Sequence, residues 1–344
     1  MIPANVELHN VAELVETENG PGRFFSRVPN AVRLRLPPAD QRSALCAAGA
    51  EVRCNLEEGT LRVVFANEGV AAGIGIVEVY QGPFQVSWQY VRPKPQPTEI
   101  VVSLPGHIDQ LCAIAKANRA AFDARLTRIL LPHSPVIRLL KVEAPRSATC
   151  PRKDQTPAKR CLAYGTSLTQ GNGTVEPTGG YAMRASQMLG ADLINLGFGN
   201  GGRLEREIAD YMASRADWDF AILEIGTNSV ADPPQVLRER VAYMLATLAR
   251  AWPERSIFCL DIFVNGDDFG VQVVPDGACG PEVYRQVVRD AVRQLNKPNV
   301  RHIEGLAVAG DYLGLSADLV HPSQIGMEQI ARNLCDRIRP HLDR

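Results

Sequence analysis

Cys161-Leu162-Ala163-Tyr164-Gly165-Thr166-Ser167-Leu168-Thr169-Gln170-Gly171 reads as a buried strand leaving its sheet. An apolar run leads into Tyr164 and Gly165, and small hydroxylated residues follow where the chain turns. Ser167 is therefore a candidate nucleophile. A serine hydroxyl does not ionise near neutral pH, so it needs an adjacent base, an acid to orient that base, and N–H donors for the oxyanion it creates.

Downstream, short apolar runs at 193–196, 220–225, 257–260 and 300–303 alternate with helical patterns at 181–189, 204–213, 236–251, 282–295 and 324–337. Runs of that kind suit strands covered on both faces. The alternation predicts an α/β domain with a doubly wound parallel sheet, whose ligands bind at the carboxyl ends of the strands. Ser167 lies at one such end.

The partners follow in order. Asp318-Leu319-Val320-His321-Pro322-Ser323 sets an acid three residues before a histidine. Pro322 restricts His321 to extended geometry, Ser323 can cap the next helix, and Asp318 can fold back to the ring Nδ1. Gly197-Phe198-Gly199-Asn200-Gly201-Gly202 follows the second strand, and Gly226-Thr227-Asn228 the third. Backbone N–H groups of the first and the side-chain amide of the second are candidate oxyanion donors.

These four segments resemble the four sequence blocks of the SGNH hydrolases, also called the GDSL-like esterase and lipase family. The resemblance covers roughly residues 161–339, and the Asp-x-x-His block is its most specific part. It implies a flavodoxin-like sheet, no metal or cofactor, Ser167 as nucleophile, Asp318 and His321 as acid and base, and Asn228 as side-chain oxyanion donor. Two departures stand out. Thr166 occupies the place of the aspartate that usually precedes the family's serine. Some relatives read Gly-Phe-Ser-Gly-Asn-Gly in the second block, which puts their oxyanion glycine at Asn200; Gly199 or Gly201 serves instead if the register slips. The Ser167 N–H completes the expected oxyanion hole.

Ahead of this domain, residues 1–150 read as all-β. Val32-Arg33-Leu34-Arg35-Leu36 alternates like a strand with one wet face, and runs at 61–66, 75–80, 84–90, 100–104, 129–131 and 136–142 are punctuated by glycine, proline and asparagine. Only 108–124 has a helical period. A sandwich or jelly roll is expected. Segment 143–160, rich in proline, lysine and arginine, reads as a linker or surface connection to a catalytic domain at 156–344. A sandwich before such a domain is similar to a branch with carbohydrate-ester deacetylases and natural-product acyltransferases, where it resembles a carbohydrate-binding module. Trp88 and Tyr90 share one face of a strand and are expected in the core rather than as a stacking platform. Residues 264–280, rich in Gly and Asp, are the candidate lid.

Composition narrows the field. The 344 residues carry 37 basic and 38 acidic side chains, a net charge of -1, which gives no general reason to bind nucleic acid or an anionic membrane. No apolar run approaches the ~20 residues of a membrane span and no leader pattern opens the chain, so a cytoplasmic location is expected. The 8 cysteines and 6 histidines are scattered, without the close pairs of a zinc site. The reading is a serine esterase acting on small-molecule acyl esters through an acyl-enzyme. The first alternative is an acyltransferase fed by an acyl thioester. The other is a sugar-binding module with a degenerate hydrolase, against which the full set Ser167, Asn228, Asp318 and His321 argues.

Overall fold

The computed structural model describes residues 2–17, 20–68 and 75–342. Its N-terminal part is built on β1 (Glu7–His9), β2 (Glu13–Glu16), β3 (Arg23–Ser26), β4 (Glu51–Asn55), β5 (Leu61–Asn67), β6 (Ile76–Gln81), β7 (Phe84–Tyr90), β8 (Thr98–Val102), β9 (Leu126–Leu130) and β10 (Ile137–Glu143). One antiparallel sheet runs β1-β4-β9-β6-β7 and the other β2-β3-β10-β5-β8. Val52, Cys54, Val63, Phe65, Ile129 and Leu139 meet between them, so period-2 alternation builds the expected sandwich core.

Three expectations are corrected. Residues 32–36 are not a strand: α1 (Asn30–Arg33) and α2 (Pro38–Ser43) occupy this region, each opened by a proline, Pro29 and Pro37. The spacing that matters there is four, because Val28, Val32 and Leu36 pack on the α/β core while Leu34 is 58% exposed. Trp88 and Tyr90 are not core residues. They stand 54% and 50% exposed on the edge strand β7, their rings 5.2 Å apart and inclined at 77°, a corner rather than a flat platform. The 143–160 connection runs over the surface, one of its two expected forms, and is strapped down there: Asn55 and Thr149 exchange backbone hydrogen bonds, and buried Gln155 trades side-chain amide bonds with Asn55. The helical stretch, α3 (Ile108–Ala117), is shorter than its periodicity suggests.

The C-terminal part has five parallel strands, β11 (Lys159–Gly165), β12 (Ala191–Gly197), β13 (Phe220–Glu224), β14 (Ser256–Leu260) and β15 (Val300–Ile303), in the order β12-β11-β13-β14-β15. This is the flavodoxin-like order. Its helices are α4 (Ser167–Gln170), α5 (Tyr181–Met188), α6 (Arg206–Ser214), α7 (Pro234–Ala251), α8 (Pro281–Leu295), α9 (Gly305–Val308) and α10 (Gln324–Ile338). Alternation along β11 sends Leu162 and Tyr164 towards α6, α7 and α8, and Cys161 and Ala163 towards α5 and α10. Both faces are thus dry, giving three layers. Among the described residues no helix is long and apolar enough to cross a membrane.

The sandwich is joined to this domain through charge. The outer face of β4 and β9 carries Glu51, Arg53 and Arg128, all at most 3% exposed. Arg53 donates two bonds of 2.7 Å to Asp192 on β12 and one of 2.8 Å to Glu51, which also takes two from Arg128. Phe122 lies under both guanidinium groups. Burial opposes the charged form of Glu51, but the two arginines outweigh it and hold its carboxyl down at about 2. Removing one member of such a cluster strands the others. Asp192→Ala is expected to lower the free energy of unfolding in a urea titration by ~3–5 kcal/mol. A loss below ~1 kcal/mol would show that water replaces the carboxylate and that the cluster does not hold the two parts together.

Candidate active site

Ser167 begins α4, a single turn whose N-cap Thr166 accepts from the Leu168 N–H and whose C-cap Gly171 takes φ 115°. With the imidazole protonated at Nδ1, Ser167 Oγ donates to His321 Nε2 at 2.8 Å and His321 Nδ1 donates to Asp318 Oδ2 at 2.8 Å. The structure brings together residues separated by 154 positions. Asp318 Oδ1 also accepts from Ser316 Oγ and from the N–H groups of Val320 and His321. Partial burial works against its charge, yet those N–H groups, the imidazole and Ser316 hold the carboxyl well below its ordinary value. Ser323 caps α10 through the Gly326 N–H, as expected.

The loop that carries Asp318 and His321 is braced by part of the candidate lid. The Gly266 N–H donates to the carbonyl of Leu319, which sits at φ 59°. Arg285 grips Asp268 with two bonds of 2.7 Å and the carbonyls of Ile262 and Phe263 with two more. Residues 264–268 are therefore fixed to α8 and to the histidine loop, while 269–272 and 275–280 present mostly exposed or half-buried side chains.

The second-block turn is where donors can be told apart. The Gly199 N–H already bonds to Ser43 Oγ and Gln170 Oε1, and the Gly201 N–H to the Phe198 carbonyl. Among the described residues the N–H groups of Ser167 and Asn200 have no acceptor. Asn200 has φ 60°, the left-handed conformation that asparagine tolerates better than other side chains, which accounts for Asn where relatives carry glycine. Asn228 Nδ2 donates to the Gly201 carbonyl at 2.7 Å, leaving its second N–H available. The Phe198 N–H donates to the Gly165 carbonyl, and a Cβ on Gly202 would lie 2.3 Å from that same oxygen. The three turns after β11, β12 and β13 are thus in contact.

Some contributors lie outside the four sequence blocks. Ser43 and Asp40 come from α2 in the N-terminal part; Asp40 accepts from the Gly202 N–H at 2.9 Å. Glu224, fully buried at the end of β13, accepts from the backbone and hydroxyl of Thr166 and from Thr169 and Thr227. Its signal was an acid closing an otherwise apolar strand. Asp40 and Glu205 also line a cavity of about 880 Å³ that reaches Asn200. No three His, Cys, Asp or Glu among the described residues are grouped to hold a metal ion.

A family model, GDSL-like Lipase/Acylhydrolase, matches residues 158–339. The chain belongs to that family. No curated protein sequence matches it. Among solved structures, the family member resembles a salicylyl-acyltransferase, SsfX3, from a tetracycline biosynthetic pathway, with TM-score 0.79 and 18% identity over 98% of this chain and 95% of that one. A GDSL-like lipase from Bacteroides ovatus gives TM-score 0.70 and 19% identity over 98% of each chain. A family two carbohydrate esterase from Clostridium thermocellum, in complex with cellohexaose, gives 0.59 and 14% over 86% and 93%. All three likenesses extend over sandwich and parallel sheet, which makes the two-part fold common to them.

Asn228→Ala is expected to lower turnover ~10² to 10³-fold. Asn200→Gly, which keeps the backbone N–H and its left-handed geometry, should change it by less than about fivefold; a large loss there would show that the asparagine side chain is needed. Burial, and next the Asp40 carboxylate, push Glu205 up to about 7 from an ordinary 4.5. The native state then holds the extra proton between those values, so this contribution to stability is complete below 4.5 and lost as pH rises through 7. The melting temperature should fall between pH 5 and 8, and Glu205→Gln should flatten that fall; an equal slope in the variant would remove Glu205 as its source.

Proposed function

We propose that the protein is a serine esterase that cleaves small-molecule acyl esters through an acyl-enzyme on Ser167. The observation that carries this reading is the unbroken relay from Ser167 Oγ through His321 to Asp318, two bonds of 2.8 Å each. His321 Nε2 accepts the serine proton as Oγ bonds to the ester carbonyl carbon. The carbonyl π pair moves onto oxygen, which the N–H groups of Ser167 and Asn200 and the Asn228 amide stabilise. Collapse breaks the bond to the alkoxy oxygen, which leaves with the proton from His321. Water then repeats the sequence and frees the acid.

Water is chosen as acceptor because the relay is open: the His321 side chain is 27% exposed and Asp318 52%. A transferase must keep water from its acylated serine or give its acceptor a far higher effective concentration. The fold shared with a salicylyl-acyltransferase at TM-score 0.79 supports the second reading, transfer from an acyl thioester to a hydroxyl acceptor. A sugar or natural-product ester is the proposed substrate class, in line with the carbohydrate esterases of the same fold. Cytoplasmic residence belongs to the proposal too, supported by free thiols at all 8 cysteines. So does the division at 1–150 and 156–344, with the sandwich as a wall of the site through Ser43 and Asp40.

Ser167→Ala is expected to reduce ester turnover by ~10³-fold or more with the fold intact, and His321→Ala by a similar factor. Acyl-enzyme formed with an activated ester should lose its acyl group within seconds in buffer. An adduct stable for hours until a polyol is added, with the acyl group recovered on that polyol, would overturn hydrolysis in favour of transfer.

A further inference from the structure

We propose that Glu224 is a positioning residue that fixes the two sides of the oxyanion hole relative to each other; the inference rests on Ser167 being the nucleophile. Glu224 ends β13 with no exposure to solvent. Its Oε2 accepts from the Thr166 N–H at 2.7 Å, the Thr166 hydroxyl at 2.8 Å and the Thr169 hydroxyl at 3.3 Å. Its Oε1 accepts from the Thr227 hydroxyl at 2.7 Å. Thr166 and Thr169 flank Ser167, and Thr227 precedes Asn228. One carboxylate therefore links the turn that carries the serine N–H to the turn that carries the asparagine amide.

The surroundings are cut to fit it. A Cβ on Gly165 would lie 2.5 Å from Glu224 Oε2 and 2.2 Å from Thr169 Oγ1, so glycine at the end of β11 is what lets the carboxylate reach across from the neighbouring strand. No lysine or arginine among the described residues pairs with it; its partners are one peptide N–H and three hydroxyls. A buried carboxylate held only by dipoles is a costly way to fill space, since an apolar side chain would be cheaper. What it adds is direction: two oxygens at fixed separation, each set by donors on a different turn. Where Thr166 departs from the family's usual aspartate, the acid beside the nucleophile comes from β13 instead. Misplacing a reacting group by about 1 Å can cost ~10²-fold in rate, so a small tilt of the Thr166–Ser167 turn is enough to matter.

The test is single-turnover acylation of Ser167 by p-nitrophenyl acetate, followed as the burst of nitrophenolate, with intact mass and peptide mapping of samples quenched in acid during the burst to locate the acetyl group. Glu224→Ala should slow the burst ~10²-fold while KM stays within ~3-fold. Glu224→Gln should stay within ~5-fold, because its carbonyl can take the Thr166 donors while its amide donates to Thr227. Leu248→Ala, in the core near the C-terminal end of α7 and outside the hydrogen bonding of these turns, lowers stability and should leave the burst rate unchanged, so that lost stability alone is not mistaken for lost positioning. If Glu224→Ala does not fold, Thr166→Val removes one of the bonds and should slow the burst ~10-fold. A wild-type burst rate in Glu224→Ala, or in Thr166→Val in its place, overturns the role of Glu224 while leaving Ser167 as nucleophile. Absence of an acetyl group on Ser167 in the wild-type protein overturns both.

Discussion

The contact between three chain turns at the carboxyl edge of β12, β11 and β13 governs this molecule. The Phe198 N–H bonds to the Gly165 carbonyl, Asn228 bonds to the Gly201 carbonyl, and Gly202 is seated where a side chain would strike Gly165. In a 2-1-3-4-5 sheet, connections leave strands 1 and 3 to opposite faces, opening a crevice between them. Filling that crevice with turns rather than side chains puts the Ser167 N–H, the Asn200 N–H and the Asn228 amide on turns that touch one another. Once backbone occupies the crevice, glycine or a left-handed Asn is obligatory at the points of closest approach.

The sandwich follows from the same constraint. A turn as tight as 197–202 leaves N–H groups facing away from the site, and these must be satisfied. Ser43 takes that of Gly199 and Asp40 that of Gly202, both from α2. Arg27 adds bonds to the carbonyls of Asn195, Cys46 and Ser43 while lying over the Phe198 ring. The N-terminal part thus completes the hydrogen bonding of the turn at 197–202, and the Arg53–Asp192 pair fastens it there. Detaching it would leave both a charged seam and an unsupported turn.

Much of this was legible in the sequence because it is local. Apolar runs separated by helical periods announce a parallel sheet, and Asp318-x-x-His321-Pro322 sets a carboxylate against an imidazole on one loop. The failures were of two kinds. Val28, Val32 and Leu36 have a spacing of four that an alternating charge pattern disguised as two, and Trp88 and Tyr90 looked interior because aromatic strands usually are. Others were non-local: β4 pairs with β1 and β9 and carries Glu51 and Arg53 on a face that a lone sandwich would leave wet, and the partner that buries that face, Asp192 on β12, lies 139 positions from Arg53. Ser43 and Gly199 lie 156 positions apart, and nothing near either residue announces the other. Which of Gly199, Asn200 and Gly201 keeps a free N–H depends on contacts made elsewhere in the fold.

The central claim is that Ser167, His321 and three separate donors converge on one reacting carbonyl. A crystal structure of the protein inactivated with a small alkyl phosphonate tests it most directly, because the tetrahedral phosphonyl group mimics the intermediate. The expected result is phosphorus bonded to Ser167 Oγ, with the phosphoryl oxygen within ~3 Å of the Ser167 N–H, the Asn200 N–H and the Asn228 amide. Phosphorus on another residue, or an oxygen directed away from Asn200 and Asn228, would contradict it.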